Sequence, residues 1–162
     1  MTEDRRPEDI LRARFGHDAF RDWQRDVVSH VLAGNDGLFI APTGSGKSVC
    51  FQVPALAFDG LTVVLSPLIA LMQDQVDALD RRGIPATFIN STLEPSEREA
   101  RQQGIRDGKY KLLYVTPERF KKEAFLDAID AAKVSFLAID EAHCISSWGH
   151  DFRPEYGRVG AI

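Results

Sequence analysis

Cysteine is scarce: only Cys50 and Cys144 occur among the 162 residues, far apart and without a Cys-x-x-Cys partner. That excludes a disulfide framework, and His143, Cys144 and His150 have the wrong spacing for a zinc site. No apolar run approaches bilayer length, and the first residues, Met1 to Arg6, are charged rather than apolar, so neither a membrane anchor nor a secretory leader is expected. The expectation is a soluble, intracellular protein. There is also no excess of positive charge: the formal net charge is −4, which excludes a basic nucleic-acid sponge and requires any nucleic-acid contact to be local. Internal repeats, low-complexity tracts and linkers are missing too. With 44% hydrophobic and 27% charged residues, the length suits one domain with a real core.

What is present is organised around Ala41-Pro42-Thr43-Gly44-Ser45-Gly46-Lys47-Ser48. The apolar run Leu38 to Ala41 leads in as a strand, and a helix-permissive segment follows, which is the layout of a phosphate-binding loop. Backbone N–H groups wrap a polyphosphate only at close range, so side chains are removed at Gly44 and Gly46, where positive φ or tight approach is needed. Lys47 supplies a point charge to the β/γ-phosphates. Ser48 offers a hydroxyl to Mg²⁺, and the helix starting there adds its N-terminal partial charge. Ala41 stands where glycine is commoner.

Helices are expected from Pro7 to Phe15, stopped by Gly16, and from Phe20 to Leu32, with Trp23, Val27, Val28, Val31 and Leu32 on one face. A third runs from Lys47 to about Phe58, where Pro54 should kink it or end its regular part. Further strands are expected at 61–65, 86–89, 111–115 and 134–139. Ser66-Pro67 and Thr116-Pro117 read as N-cap plus first helical residue, and Pro95 opens a polar helix to Arg106. Five nearly continuous apolar strands alternating with helices predict an α/β three-layer sandwich with a mostly parallel sheet. Chemistry-bearing residues fall after strands, where such sheets bind ligands.

Asp140-Glu141-Ala142-His143 follows the last strand. An acidic residue there suits Mg²⁺, and a neighbouring glutamate suits the attacking water; Asp140 as a simple helix cap is the bland alternative.

The residues together resemble the first motor lobe of RecQ-type DNA helicases, across nearly the whole chain. Phe15-Gly16, Phe20-Arg21 and Gln24 resemble the family's adenine motif, and Ala41 to Gln52 its phosphate-binding loop and helix. Ser66 to Gln75 and Tyr114 to Arg119 resemble two nucleic-acid motifs. Asp140 to Ser146, continuing as Trp148-Gly149-His150-Asp151-Phe152-Arg153-Pro154-Glu155-Tyr156, is the most specific match. Two departures are His17, where the family often has tyrosine, and Ser147, where it often has glutamine.

The resemblance implies a RecA-like P-loop fold, incomplete at the C-terminus, with residues 1–36 forming the adenine-recognition helices and a second lobe absent. It implies ATP and Mg²⁺ as cofactors, DNA as partner, 3′→5′ unwinding, and a cytoplasmic, nucleoid-associated or nuclear place in repair and recombination. His17, Arg21 and Gln24 would contact adenine, Gln24 through a bidentate amide, and Thr43 to Ser48 the phosphates. Lys47, Asp140, Glu141 and His143 would be catalytic, Ser48 and Asp140 holding Mg²⁺. Ser66, Pro67, Thr92, Thr116, Trp148, Phe152 and Arg153 would contact DNA. Trp148 and Phe152 also read as a satellite apolar cluster, and Ser66 and Thr116 as ordinary caps. The rival functions are a non-catalytic nucleotide- or DNA-binding module and another P-loop NTPase.

Overall fold

A computed structural model describes residues 6–42 and 44–142. The chain divides into two compact units, Met1–Asp59 and Gly60–Ile162, each described separately below.

In the first unit, Pro7 at the first helical position opens α1 (Pro7–Ile10), with Glu8 and Asp9 in the first turn where the helix dipole favours acids. A π-helical turn, Leu11–Phe15, continues it and ends at Gly16, whose φ of 69° needs a residue without Cβ. Ile10, Leu11 and Phe15 are buried, as their spacing predicts. Helix α2 (Asp22–Leu32) buries Val27, Val28 and Val31. Helix α3 (Val49–Ala57) carries Pro54 inside it; the Phe58 N–H still donates to the Pro54 carbonyl at 2.9 Å, so the helix closes one turn beyond the proline.

The strand expected at 38–41 is not formed. Residues 35–42 are irregular, and Leu38 and Ile40 are 75% and 92% exposed. Apolarity marks a segment that gains by burial, but a strand is made by hydrogen bonds to a neighbour, and none reaches residues 38–41 among the described residues. Phe39 instead packs edge-on against His30, centroids 5.7 Å apart.

The second unit holds a four-stranded parallel sheet in the order β2-β3-β1-β4: β1 (Leu61–Leu65), β2 (Ala86–Ile89), β3 (Leu112–Val115) and β4 (Val134–Ile139). Strand β1 pairs with β3 (Val63 opposite Leu113) and with β4 (Val63 opposite Leu137). The chain leaves β1 through α4 (Ile69–Arg81) to β2, returns through α5 (Pro95–Arg106) to β3, and then crosses by a 3₁₀ turn (Pro117–Lys121) and α6 (Glu123–Ala131) to β4 on the other side of β1.

Side chains alternate across the strands, so each face builds its own core. Leu61, Val63, Leu65, Ile89, Leu113 and Val115 join Ile105 of α5 and Phe125, Ala128 and Ile129 of α6 in one cluster. Met72, Val76 and Leu79 are the buried stripe of α4, which packs against β2. The result is the expected three-layer α/β sandwich. Helix α4 starts at Ile69 with Leu68 as its cap, two residues later than the Ser66-Pro67 reading, because the Ser66 hydroxyl accepts from the Leu68 N–H at 3.2 Å and closes a turn before the helix begins. No helix among the described residues is long and apolar enough to cross a membrane.

Candidate nucleotide and nucleic-acid sites

The phosphate loop of the first unit has the backbone its sequence demands. Gly44 and Gly46 have φ of 75° and 89°, the left-handed region that alanine or larger residues enter only with strain. The Ser45 N–H and hydroxyl both turn back to the Pro42 carbonyl. The amides of Gly46, Lys47 and Ser48 donate to nothing among the described residues, immediately ahead of α3. A run of unengaged N–H groups in alternating-handed backbone at a helix start is a concavity for anions.

Two side chains reach this loop from the residues before and within α2. Gln24, buried to 7% exposure, accepts the Arg21 N–H at 2.9 Å through Oε1, the reciprocal half of a capping box, and donates from Nε2 to the Gly46 carbonyl at 3.0 Å. Exposed Arg21 donates from Nη1 to the Ser45 carbonyl at 3.1 Å. Both amide ends expected for an adenine edge are thus engaged with protein backbone. His17 is exposed, just past Gly16. Thr43 lies outside the described residues.

In the second unit the other candidates collect at the carboxyl ends of the strands. Ser66 follows β1, Asn90 to Thr92 follow β2, Thr116 follows β3 and Asp140 follows β4. Asp140 is anchored by its N–H to the Leu65 carbonyl at 2.8 Å, which extends the β4–β1 ladder by one bond. It lines a small cleft with Ser66, Leu71, Met72, Gln75 and Tyr114. Its Oδ1 accepts the N–H of Glu141 at 3.1 Å. Glu141 has φ of 55°, the only non-glycine residue with positive φ among the described residues. A left-handed glutamate directly after a strand aims its carboxylate differently from a helical or extended one, at a local backbone cost.

The other expected nucleic-acid residues behave unequally. Ser66 and Thr116 are buried, at 5% and 1% exposure, with hydroxyls engaged by the Leu68 N–H and the Glu118 carboxylate. Pro67 is half-buried. Thr92 is exposed, its N–H and hydroxyl both donating to Asn90 Oδ1 in an Asx turn. His143, Trp148, Phe152 and Arg153 lie outside the described residues.

Arg119 escapes a sequence reading that takes arginine for a surface residue. It is 7% exposed; burial and the nearby Arg98 push its guanidinium pKa down, opposed by Glu118. Its place in the Tyr114 to Arg119 motif was the one available signal.

The DEAD/DEAH box helicase family model matches residues 21–161. The chain is 50% identical over 153 residues to the ATP-dependent DNA helicase RecQ of Haemophilus influenzae, covering 94% of this chain and 25% of that protein. It is 48% identical over 155 residues to the RecQ of Bacillus subtilis, covering 95% and 26%. It therefore spans about a quarter of the length of these curated relatives. In fold it resembles the DUF1998 helicase MrfA, with a TM-score of 0.67 at 22% identity, covering 88% of this chain and 22% of that one. The RNA helicase Prp28 of Chaetomium thermophilum gives 0.63 at 24% identity, covering 98% and 42%. The match over residues 21–161 takes in the phosphate loop, the α/β sandwich and the acidic pair after β4: the chain belongs to the DEAD/DEAH box helicase family.

Proposed function

We propose that this chain is the ATP-binding first motor lobe of an intracellular RecQ-type 3′→5′ DNA helicase. The observation that carries the nucleotide half is the pair of left-handed glycines, Gly44 and Gly46, followed at the start of α3 by three amides unengaged among the described residues. About 50% identity to RecQ proteins over nearly the whole chain supports the DNA half.

In this reading Thr43 to Ser48 wrap the triphosphate, with Lys47 on its outer phosphates. Gln24, Arg21 and His17 face the base, Gln24 exchanging its hold on Gly46 for the adenine edge. Ser48 and Asp140 would hold Mg²⁺: a hard cation that keeps most of its waters needs only one or two protein oxygens, and a half-buried carboxylate at a strand end supplies one. When bound, that ion neutralises charge on the phosphate oxygens. Glu141 orients and deprotonates water, and His143 links this chemistry to DNA held by Ser66, Pro67, Thr92, Thr116, Trp148, Phe152 and Arg153. A second lobe would supply the arginine finger, worth about 10³-fold or more in rate, so turnover by this lobe alone is slow.

Single-turnover ATP hydrolysis with and without single-stranded DNA tests the reading. Stimulated hydrolysis that disappears in Glu141→Gln supports it. ATP binding with no hydrolysis at any DNA concentration supports a non-catalytic module instead, and DNA-independent hydrolysis another type of NTPase.

A further inference from the structure

Val64 of β1 pairs with Tyr114 of β3 on one side and with Ala138 of β4 on the other, so these three share one face of the sheet. The ladder runs one bond further, from the Ser66 N–H to the Val115 carbonyl at 3.0 Å and from the Asp140 N–H to the Leu65 carbonyl at 2.8 Å. With a period of two, Ser66 and Asp140 therefore lie on the face of Tyr114. Helix α4 supplies the opposite wall. Its Leu71, Met72 and Gln75, one helical turn apart, line a single cleft with Ser66, Tyr114 and Asp140; the cleft offers about 10 Å³, room for one water molecule.

Packing alone does not account for Gln75. Met72, Val76 and Leu79 beside it form the buried stripe of α4. The Gln75 Oε1 is buried as well, and it accepts no hydrogen bond among the described residues. A buried amide oxygen without a donor is unfavourable, and methionine would fill the same space without that cost. Asp140, when ionised, also only accepts, so these two groups are joined through a donor between them. Water brings two O–H donors, and the cleft has room for one molecule. We propose that Gln75 is a positioning residue for Asp140, acting through one water that donates to Gln75 Oε1 and to the Asp140 carboxylate. Asp140 Oδ1 already accepts the Glu141 N–H at 3.1 Å, and the water adds a second hold that fixes the plane of the carboxylate. This rests on the proposed role of Asp140 as a Mg²⁺ ligand. It connects α4, whose opening motif the resemblance gives to nucleic acid, with the metal side of the nucleotide site.

The test is the affinity of the 162-residue chain for a fluorescent ATP analogue, measured in Mg²⁺ and again in EDTA, for the parent, Gln75→Met, Gln75→Leu, Asp140→Asn and the double variant Gln75→Met with Asp140→Asn. Gln75→Met and Gln75→Leu should each bind about tenfold more weakly in Mg²⁺ and equally well in EDTA, the pattern of a lost partner to a metal-ligating carboxylate. Gln75→Met should add no further loss to Asp140→Asn, because both changes disable one carboxylate. Parent-like affinity in Mg²⁺ for both Gln75 variants overturns the inference. So does an equal loss in Mg²⁺ and EDTA, which is the mark of a merely structural residue, and so does a loss that persists in the Asp140→Asn background. A parent chain that binds the analogue equally with and without Mg²⁺ contradicts the metal role of Asp140 itself, and the inference falls with it.

Discussion

Gln24 holds Gly46: its Nε2 donates to the Gly46 carbonyl at 3.0 Å while its Oε1 accepts from the Arg21 backbone. The side chain expected to read the base is also the strut that fixes the phosphate loop. A buried amide with both ends engaged leaves unsatisfied partners when truncated, at about 1–3 kcal/mol. Gln24→Ala should therefore destabilise the chain by that amount in urea unfolding and also weaken nucleotide binding. Gln24→Glu keeps the Arg21 bond but sets a carboxylate against the Gly46 carbonyl, and should bind ATP more weakly than the parent.

The same relationship makes Gly46 intolerant of a side chain. An added Cβ would stand 2.6 Å from Gln24 Nε2, at a φ of 89°. Gly46→Ala should abolish binding of a fluorescent ATP analogue and destabilise by about 1–3 kcal/mol through backbone strain. In a double-mutant cycle with Gln24→Ala the two losses should fall short of additive, because both variants break one contact. Strict additivity in the cycle contradicts the strut.

Glu141 combines a left-handed backbone with the water-activating role proposed for it. Glu141→Gly should remove the positive-φ cost, about 1 kcal/mol, and so raise or preserve the melting temperature while eliminating DNA-stimulated hydrolysis. Glu141→Gln should eliminate hydrolysis without that gain. A Glu141→Gly chain that is clearly less stable than Glu141→Gln counts against the strain.

Burial of Cys50 pushes its thiol up to about 11. The folded state then holds the thiol proton more tightly than the unfolded chain, so this contribution to stability is complete below the unfolded value near 8.5 and is lost as pH rises toward 11. In a Cys144→Ser background, thiol-reagent labelling at pH 8 should be slow in buffer and fast in denaturant. Equally fast labelling in both would contradict the burial.

Elements whose signal is local were legible in the sequence. Val27, Val28 and Val31 on α2 and the apolar runs of β1 to β4 land where periodicity places them. So do the glycines of the phosphate loop, because positive φ is a one-residue property. What failed depended on partners distant in sequence. Leu38 to Ala41 have the composition of a strand, and composition does not supply a neighbouring edge. Ser66-Pro67 look like a helix start, yet the Ser66 hydroxyl closes a turn first. Gln24 reads, through the resemblance, as a base reader, and nothing in its surroundings in sequence points to a carbonyl 22 positions away. Arg119 has the residue type of a surface and the burial of a core, set by strands that meet only in the fold.

The account centres on the phosphate loop as an ATP site, and titration of the chain with a fluorescent ATP analogue in Mg²⁺, beside Lys47→Ala, tests it most directly. Saturable binding that ATP displaces, weakened at least tenfold in Lys47→Ala at unchanged melting temperature, is the predicted result. Binding undiminished in Lys47→Ala, or no binding by the folded parent chain, would contradict it.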